Sequence, residues 1–225
     1  CSIFLTSILV FIYDGSASAF LGVFLGFWLI LGTIYEFIIK VGMKTSFNTF
    51  IKRSLYLPRS AYGMGLAHIG VAIFVIGVTV SSAWRVDIER SILIGEKLVI
   101  KNIELNFISV DRVQGPNWIA DRGKFEVVRR GNNKVFLYPE RRFYPASQVN
   151  TSEPAIMSNV FFDLYIVLGE NINTNKSYAL RVYYSPFINW IWFGVLCMSL
   201  GGFLSLSNRK HRLGSSSKNK LQAIS

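Results

Sequence analysis

Long apolar runs alternate with polar stretches along this chain, and three of the runs reach the roughly 20 residues that a helix needs to cross a bilayer. They are Ala17–Ile39, Gly63–Trp84 and Phe187–Ser207, giving expected transmembrane helices at 17–39, 63–84 and 187–207. Ser2–Tyr13 is apolar but short, and Cys1 stands where an initiator Met would. Residues 1–16 therefore read as the end of a truncated span and an external turn. The stretch lacks a basic start and is a poor signal peptide. Within 40–62, Phe47, Phe50, Ile51 and Leu55 recur at helical spacing opposite Lys44, Asn48 and Lys52. That predicts an amphipathic helix lying in the membrane interface until Pro58 ends it. Glu36 and Lys40, four apart, read as a local ion pair.

From 85 to 186 the pattern changes to short β-rich runs. Strands are predicted at Lys97–Ile100, Ile103–Val110, Lys124–Arg130, Lys134–Tyr138, Phe161–Leu168 and Tyr178–Tyr184, with Arg130-Gly-Asn-Asn133 as a hairpin turn. The alternation of Ile103, Leu105 and Phe107 predicts one buried face. The expected fold is an α-helical multi-span membrane protein with an inserted extracytoplasmic all-β domain, a small barrel or sandwich, at 85–186.

Charge sets the orientation. Of 225 residues, 51% are hydrophobic and 16% charged, well under the ~25% charged of soluble proteins, which excludes a disordered chain and an ordinary soluble enzyme. Ten of the eleven excess positive charges lie in 40–62 and in the tail 208–225. Both segments are expected in the cytoplasm and 85–186 outside, by the positive-inside pattern. Nucleic acid is not an expected partner; membrane lipid is. Trp84, Trp190 and Trp192 fall where spans meet the long external segment, as an interfacial belt does. Trp28, mid-span, reads as helix packing or lipid contact. Two cysteines, Cys1 and Cys197, allow neither a disulfide framework nor a CxxC site.

Candidate chemistry is sparse. Neither of the two His lies in 85–186, so a His-based hydrolase site is excluded there, and no metal-ligand cluster stands out. The segment reads as a docking module. Trp118 is a loop anchor or a partner contact. Arg141 and Arg142, beside Phe143 and Tyr144, meet a haem propionate or a partner, or simply line a solvated strand edge. His211 reads as a surface residue of the tail. His68 is different. It lies about 7.5 Å into its span at 1.5 Å per residue, where an ionisable group needs a partner and marks a functional site. Gly65 and Ala72 lie one turn away on the same face, followed by Val75 and Thr79. Small residues there leave room for a porphyrin, with His68 binding the iron. The competing reading is close helix packing, with Gly63/Ala67 and Gly70/Gly77 as small-residue seams and His68 bonded to a neighbouring helix. A second haem ligand would come from outside these helices. The spans lack the ionisable residues of a solute pathway, which disfavours a transporter.

At these residues the chain resembles a known family. Leu57-Pro-Arg-Ser-Ala-Tyr-Gly-Met-Gly-Leu-Ala-His68-Ile-Gly-Val-Ala, Ser81-Ser-Ala-Trp-Arg85, Gly115-Pro-Asn117, Pro139-Glu-Arg-Arg-Phe-Tyr-Pro145, Asp163-Leu-Tyr-Ile-Val-Leu-Gly-Glu170, Trp190-Ile-Trp192 and Leu204-Ser-Leu-Ser207 look like the late part of CcmF, the cytochrome c-type biogenesis family. The resemblance covers nearly all of 57–209. It implies a share in a system I haem lyase, which takes haem from the chaperone CcmE and joins it to the CXXCH cysteines of apocytochrome c, alongside CcmH/CcmI-type subunits. It also implies a membrane-embedded b-type haem with His68 as one axial ligand. The family's tryptophan-rich external signature, the two His beside it and the second b-haem ligand have no counterpart here. The chain is thus expected to be a C-terminal portion, a fragment or a naturally split protein, that works with the missing N-terminal part. A bacterial inner membrane with 85–186 in the periplasm is expected, the mitochondrial inner membrane being the alternative. A non-catalytic assembly scaffold, with His68 structural, is the other functional reading.

Overall fold

The computed structural model describes residues 7, 16–43, 46–129, 134–173 and 177–207. The apolar run Ser2–Tyr13, apart from Ser7, the turn at 130–133 and the basic tail with His211 lie outside the described residues. The chain divides into a helical unit, Cys1–Ala83 with Phe187–Ser225, and a β unit, Trp84–Pro186.

In the helical unit, α1 spans Ala17–Val41, α2 Phe47–Leu55, α3 Arg59–Ala83 and α4 Ile188–Leu206. Helix α1 begins where the Ser16 hydroxyl accepts from the Ala19 N–H at 3.3 Å, a side-chain N-cap. It ends at Gly42, whose φ of 115° suits a residue without Cβ. Helix α3 starts directly after Pro58, a residue that suits a helix start because it has no N–H to leave unpaired. Glu36 and Lys40 form the expected ion pair at 2.8 Å.

Two seams hold the long helices together. Gly63, Gly70 and Gly77 recur every seven residues, close to two helical turns, so they share one face of α3. Gly194 and Gly201 repeat the spacing on α4. A Cβ at Gly70 would sit 2.7 Å from the Met198 backbone N, and one at Gly194 would sit 2.7 Å from the Gly70 carbonyl. The backbones therefore touch directly, the expected small-residue seam. On another face of α3, Gly26 of α1 lies against Ile76 and the Ala72 carbonyl, and Gly22 lies against Thr79. Helix α2 buries none of its residues; Phe47, Ile51 and Leu55 are all exposed on it.

The β unit is a sandwich of two antiparallel sheets. One runs β1 (Val86–Leu93), β10 (Ser177–Pro186), β9 (Phe162–Asn173), β8 (Ala155–Ser158). The other runs β2 (Lys97–Ile100), β3 (Ile103–Gln114), β4 (Ile119–Arg129), β6 (Glu140–Tyr144), β7 (Val149–Glu153), with β5 (Lys134–Leu137) also paired to β4. Alternate residues of β3 and β9, namely Ile103, Leu105 and Phe107 facing Leu164, Ile166 and Leu168, make one core. A register shift between Phe107 and Ser109 leaves Ile108 without a partner in β4, as a bulge does, and brings Val110 rather than Ser109 against the core.

The six expected strands are present, several of them longer than expected. Four others, β1, β6, β7 and β8, were not expected, because their charged or very short sequences hide the alternation. At the centre Phe107 stacks on Phe125 at 4.5 Å and meets Tyr178 edge-on at 5.8 Å. Phe107→Ala is expected to destabilise the β unit by about 3–5 kcal/mol, the cost of a large cavity in a dry core. Urea unfolding of the detergent-solubilised chain, followed by the amide exchange of β3 and β9, checks this.

Candidate functional site

Polar chemistry in the helical unit centres on His68. Its Nδ1 lies 2.8 Å from the Met64 carbonyl oxygen one turn earlier. A carbonyl only accepts, so Nδ1 carries the proton and donates. In the neutral ring the lone pair is then on Nε2, the atom left for a metal. Metal-bound imidazoles generally use their other nitrogen in this way. The bond runs to its own helix rather than to a neighbouring one.

The surroundings of His68 are uneven. At 3.6 residues per turn, Gly70 and Gly77 lie on the side of α3 opposite His68, so α4 does not cover the ring's face. The structure separates the two small residues read beside it. Ala72 is fully buried and its carbonyl faces Gly26 of α1, so it serves the α1–α3 seam. Gly65 remains open, since a Cβ there would have Thr33 Cγ2 at 3.8 Å as its near neighbour. Thr33 turns its hydroxyl back to the Leu29 carbonyl at 2.7 Å, which leaves its methyl toward Gly65. Together with Ile34, Phe37, Tyr62 and Ile69 they line an apolar cleft of about 340 Å³ between α1 and α3, with Glu36 and Lys40 among its lining residues. On the other flank of His68, Val71 and Val78 are exposed. Among the described residues His68 is the only His, and no group of three or more His, Cys, Asp and Glu could hold a metal ion. From these residues a metal at this site would take one ligand.

In the β unit the arginines are engaged with protein groups. Glu140, nearly buried, accepts from Arg122 Nε at 2.6 Å and Arg142 Nε at 2.8 Å. The Arg142 guanidinium also lies 4.4 Å over the Trp118 ring, and Arg141 pairs with Glu170. Trp118 folds onto Gly115, whose N–H donates to the Trp118 carbonyl at 2.9 Å. These contacts make Trp118 a loop anchor and Arg141 and Arg142 a structural clamp, rather than a bare strand edge. Sequence reasoning missed Glu140, although its place between Pro139 and the pair Arg141-Arg142 was a signal. Burial pushes the Glu140 carboxyl up, but bonds to Arg142 and Arg122 outweigh it and hold the carboxyl below its ordinary value of 4.5. A depressed value in the fold means stability present at neutral pH and lost as pH falls through that lowered range. Glu140→Gln should cost about 1–3 kcal/mol at pH 7, a buried pair discounted for partly exposed arginines. Thermal melts should show the gap from wild type closing as the pH falls below 4.5 and through the lowered range of the Glu140 carboxyl.

Among the described residues three helices are long and apolar enough to cross a membrane, and a two-sheet sandwich is inserted between the second and third of them. This defines a multi-span membrane protein carrying a β-sandwich domain. Residues 83–186 match the family described as the CcmF C-terminal beta-sandwich. The chain is 36% identical over 197 residues to the cytochrome c-type biogenesis protein CcmF of Haemophilus influenzae, covering 88% of this chain and 30% of that one. It is 34% identical to CcmF of Pseudomonas aeruginosa, over 87% of this chain and 29% of that one, and 33% identical to CcmF of Escherichia coli, over the same shares. A solved structure titled cytochrome c heme lyase CcmF superposes with a TM-score of 0.66 at 16% identity, covering 92% of this chain and 33% of that chain; it speaks to the fold alone. The chain is thus related to the CcmF proteins along most of its length, and its residues 83–186 carry their C-terminal beta-sandwich. It spans about 30% of the length of these relatives.

Proposed function

We propose that this chain acts in cytochrome c-type biogenesis as part of a membrane haem lyase, contributing His68 as one axial ligand of a b-type haem. The observation that carries this reading is the His68 Nδ1 bond to the Met64 carbonyl, which leaves Nε2 as the free lone pair inside an apolar span. Gly65 supports it by keeping the adjacent surface clear of a side chain. The donor set fits a haem with one ligand from this chain and the other from a separate segment, consistent with the portion of the relatives that this chain does not span. Bound there, haem would supply one-electron redox chemistry within the membrane. His68 would hold and orient it, and the Met64 carbonyl would keep the ring in the ligating tautomer.

In the same proposal residues 85–186 form an extracytoplasmic docking domain, periplasmic in a bacterial inner membrane. Its partners would be the chaperone CcmE, CcmH/CcmI-type subunits and apocytochrome c. The arginines tied up by Glu140 and Glu170 argue against a propionate site at Arg141 and Arg142. A non-catalytic scaffold is the second reading, favoured by the fact that the Met64 bond satisfies one ring nitrogen without any ligand. The two are separated by the reduced-minus-oxidised spectrum of the chain purified with the rest of its complex. A b-type signal that His68→Ala removes at normal yield supports ligation. An unchanged signal, or none in the wild type, leaves the scaffold.

A further inference from the structure

We propose that the outer edge of β1 takes an extended polypeptide as an added strand across Asp87 and Glu89, and that Arg90 and Glu96 stop it short of the far end. The inference deepens the docking reading of 85–186 and rests on it. Each sheet ends in strands paired on one side, β1 and β8 in one and β2 and β7 in the other. Strands β2, β7 and β8 have only four or five residues. Strand β1 has eight, and a long free edge is a template for pairing with another chain.

Hydrogen bonding identifies the outward groups. Successive residues of an antiparallel strand turn their backbone N–H and C=O to alternate sides. The Phe162 N–H donates to Asn159 Oδ1 at 3.1 Å and its carbonyl accepts from the Asn159 N–H at 3.1 Å, so Phe162 faces away from β10. Alternation carried through the registers of β9, β10 and β1 points Val86, Ile88, Arg90 and Ile92 at β10, and Asp87, Glu89, Ser91 and Leu93 outward. Side chains cap the far end of that row. The Leu93 N–H donates to Glu96 Oε2 at 3.0 Å, and the Leu93 carbonyl accepts from the Glu96 N–H at 3.0 Å. The Ser91 carbonyl accepts from Arg90 Nε at 3.2 Å, and Arg90 and Glu96 form an ion pair. Asp87 and Glu89 instead turn their carboxylates to Arg85 at 2.6 Å and Arg181 at 2.8 Å, which leaves their backbone groups for a partner. Those groups recur every second residue, about 7 Å apart, the repeat of another strand. On the core side, partly buried Val86 and Ile88 suit apolar neighbours, and on the outer side two exposed carboxylates suit basic ones. A segment that alternates apolar and basic residues meets both. A second copy of β1 does not, because antiparallel pairing centred on Asp87 and Glu89 sets carboxylate against carboxylate.

The test adds a synthetic peptide of alternating lysine and valine to the full chain in detergent and follows amide exchange by mass spectrometry. Exchange over 86–90 is expected to slow severalfold. Glu89→Pro removes an outward N–H that β10 does not use, a place where an edge strand tolerates proline, and should weaken peptide binding severalfold. Arg90→Ala combined with Glu96→Ala should extend the slowed segment to Leu93. Unchanged exchange at 86–90 under saturating peptide would overturn the proposal. So would equal slowing by the same peptide methylated at every backbone nitrogen, which cannot donate to an edge. Slowing that needs no peptide and grows with chain concentration would overturn it in favour of a second copy. Peptide bound with 86–90 unprotected would remove the edge site and leave the docking reading standing.

Discussion

His68→Ala is expected to reduce the haem retained by the purified complex by about tenfold or more. Changes to residues that merely support a metal ligand already cost 10–100-fold in affinity, and under the proposed ligation the ligand itself is removed. The loss should be selective. The β unit contains no His and has its own core, so its urea transition should stay where it is. Imidazole added to the variant should restore part of the signal, because deleting the ring leaves a hole of its own shape. A packing role for His68 would instead lower thermal stability without that rescue. Retained haem in His68→Ala would remove the ligand assignment and leave the membrane fold untouched.

Gly70→Leu is expected to have the next largest effect, and through a different cause. The added Cβ would meet the Met198 backbone N at 2.7 Å and the Gly194 carbonyl at 2.8 Å. Backbone in a neighbouring helix cannot rotate aside as a side chain can, so α3 and α4 must separate. Overpacking of this kind costs about 1–3 kcal/mol, and the rest of the leucine adds to it. Gly202→Leu is the control, since nothing lies within 4 Å of a Cβ built there. Thermal melts in detergent should show Gly70→Leu well below wild type and Gly202→Leu close to it. Coincident melts for the two variants would mean that the helices do not pack through this seam. If His68 holds the haem as proposed, haem retention should fall in Gly70→Leu although His68 is intact, because the helix that carries it has moved.

Much of the architecture was legible because the signals are local. A run such as Gly63–Trp84 announces a span by length alone. Ile103, Leu105 and Phe107 announce a strand with one dry face by simple alternation. Strands β1, β6 and β7 gave no such signal. In β6, Glu140-Arg-Arg142 reads as a solvated stretch, and only the sheet shows why it is a strand: Glu140 pairs in register with Arg122 of β4 and accepts from both Arg122 and Arg142, while Arg141 pairs with Glu170 of β9. Short β8 escaped for another reason, since four residues are too few to display a period.

The site divides along the same line. The position of a lone imidazole within a span could be read from the sequence alone, as could the small residues beside it. Which of those residues is open could not. Gly65 and Ala72 look alike in a helical projection, yet α1 covers one and leaves the other clear. Two sets of facts therefore separate. Hydropathy and charge along the chain determined by themselves that this is a membrane protein with three long apolar helices and a β-rich insert, because transfer into lipid depends on segment composition. The tertiary structure alone decided the pairing of helix seams, the partners of Glu140 and the free nitrogen of His68, because each depends on groups brought together from distant positions or on a single ring orientation.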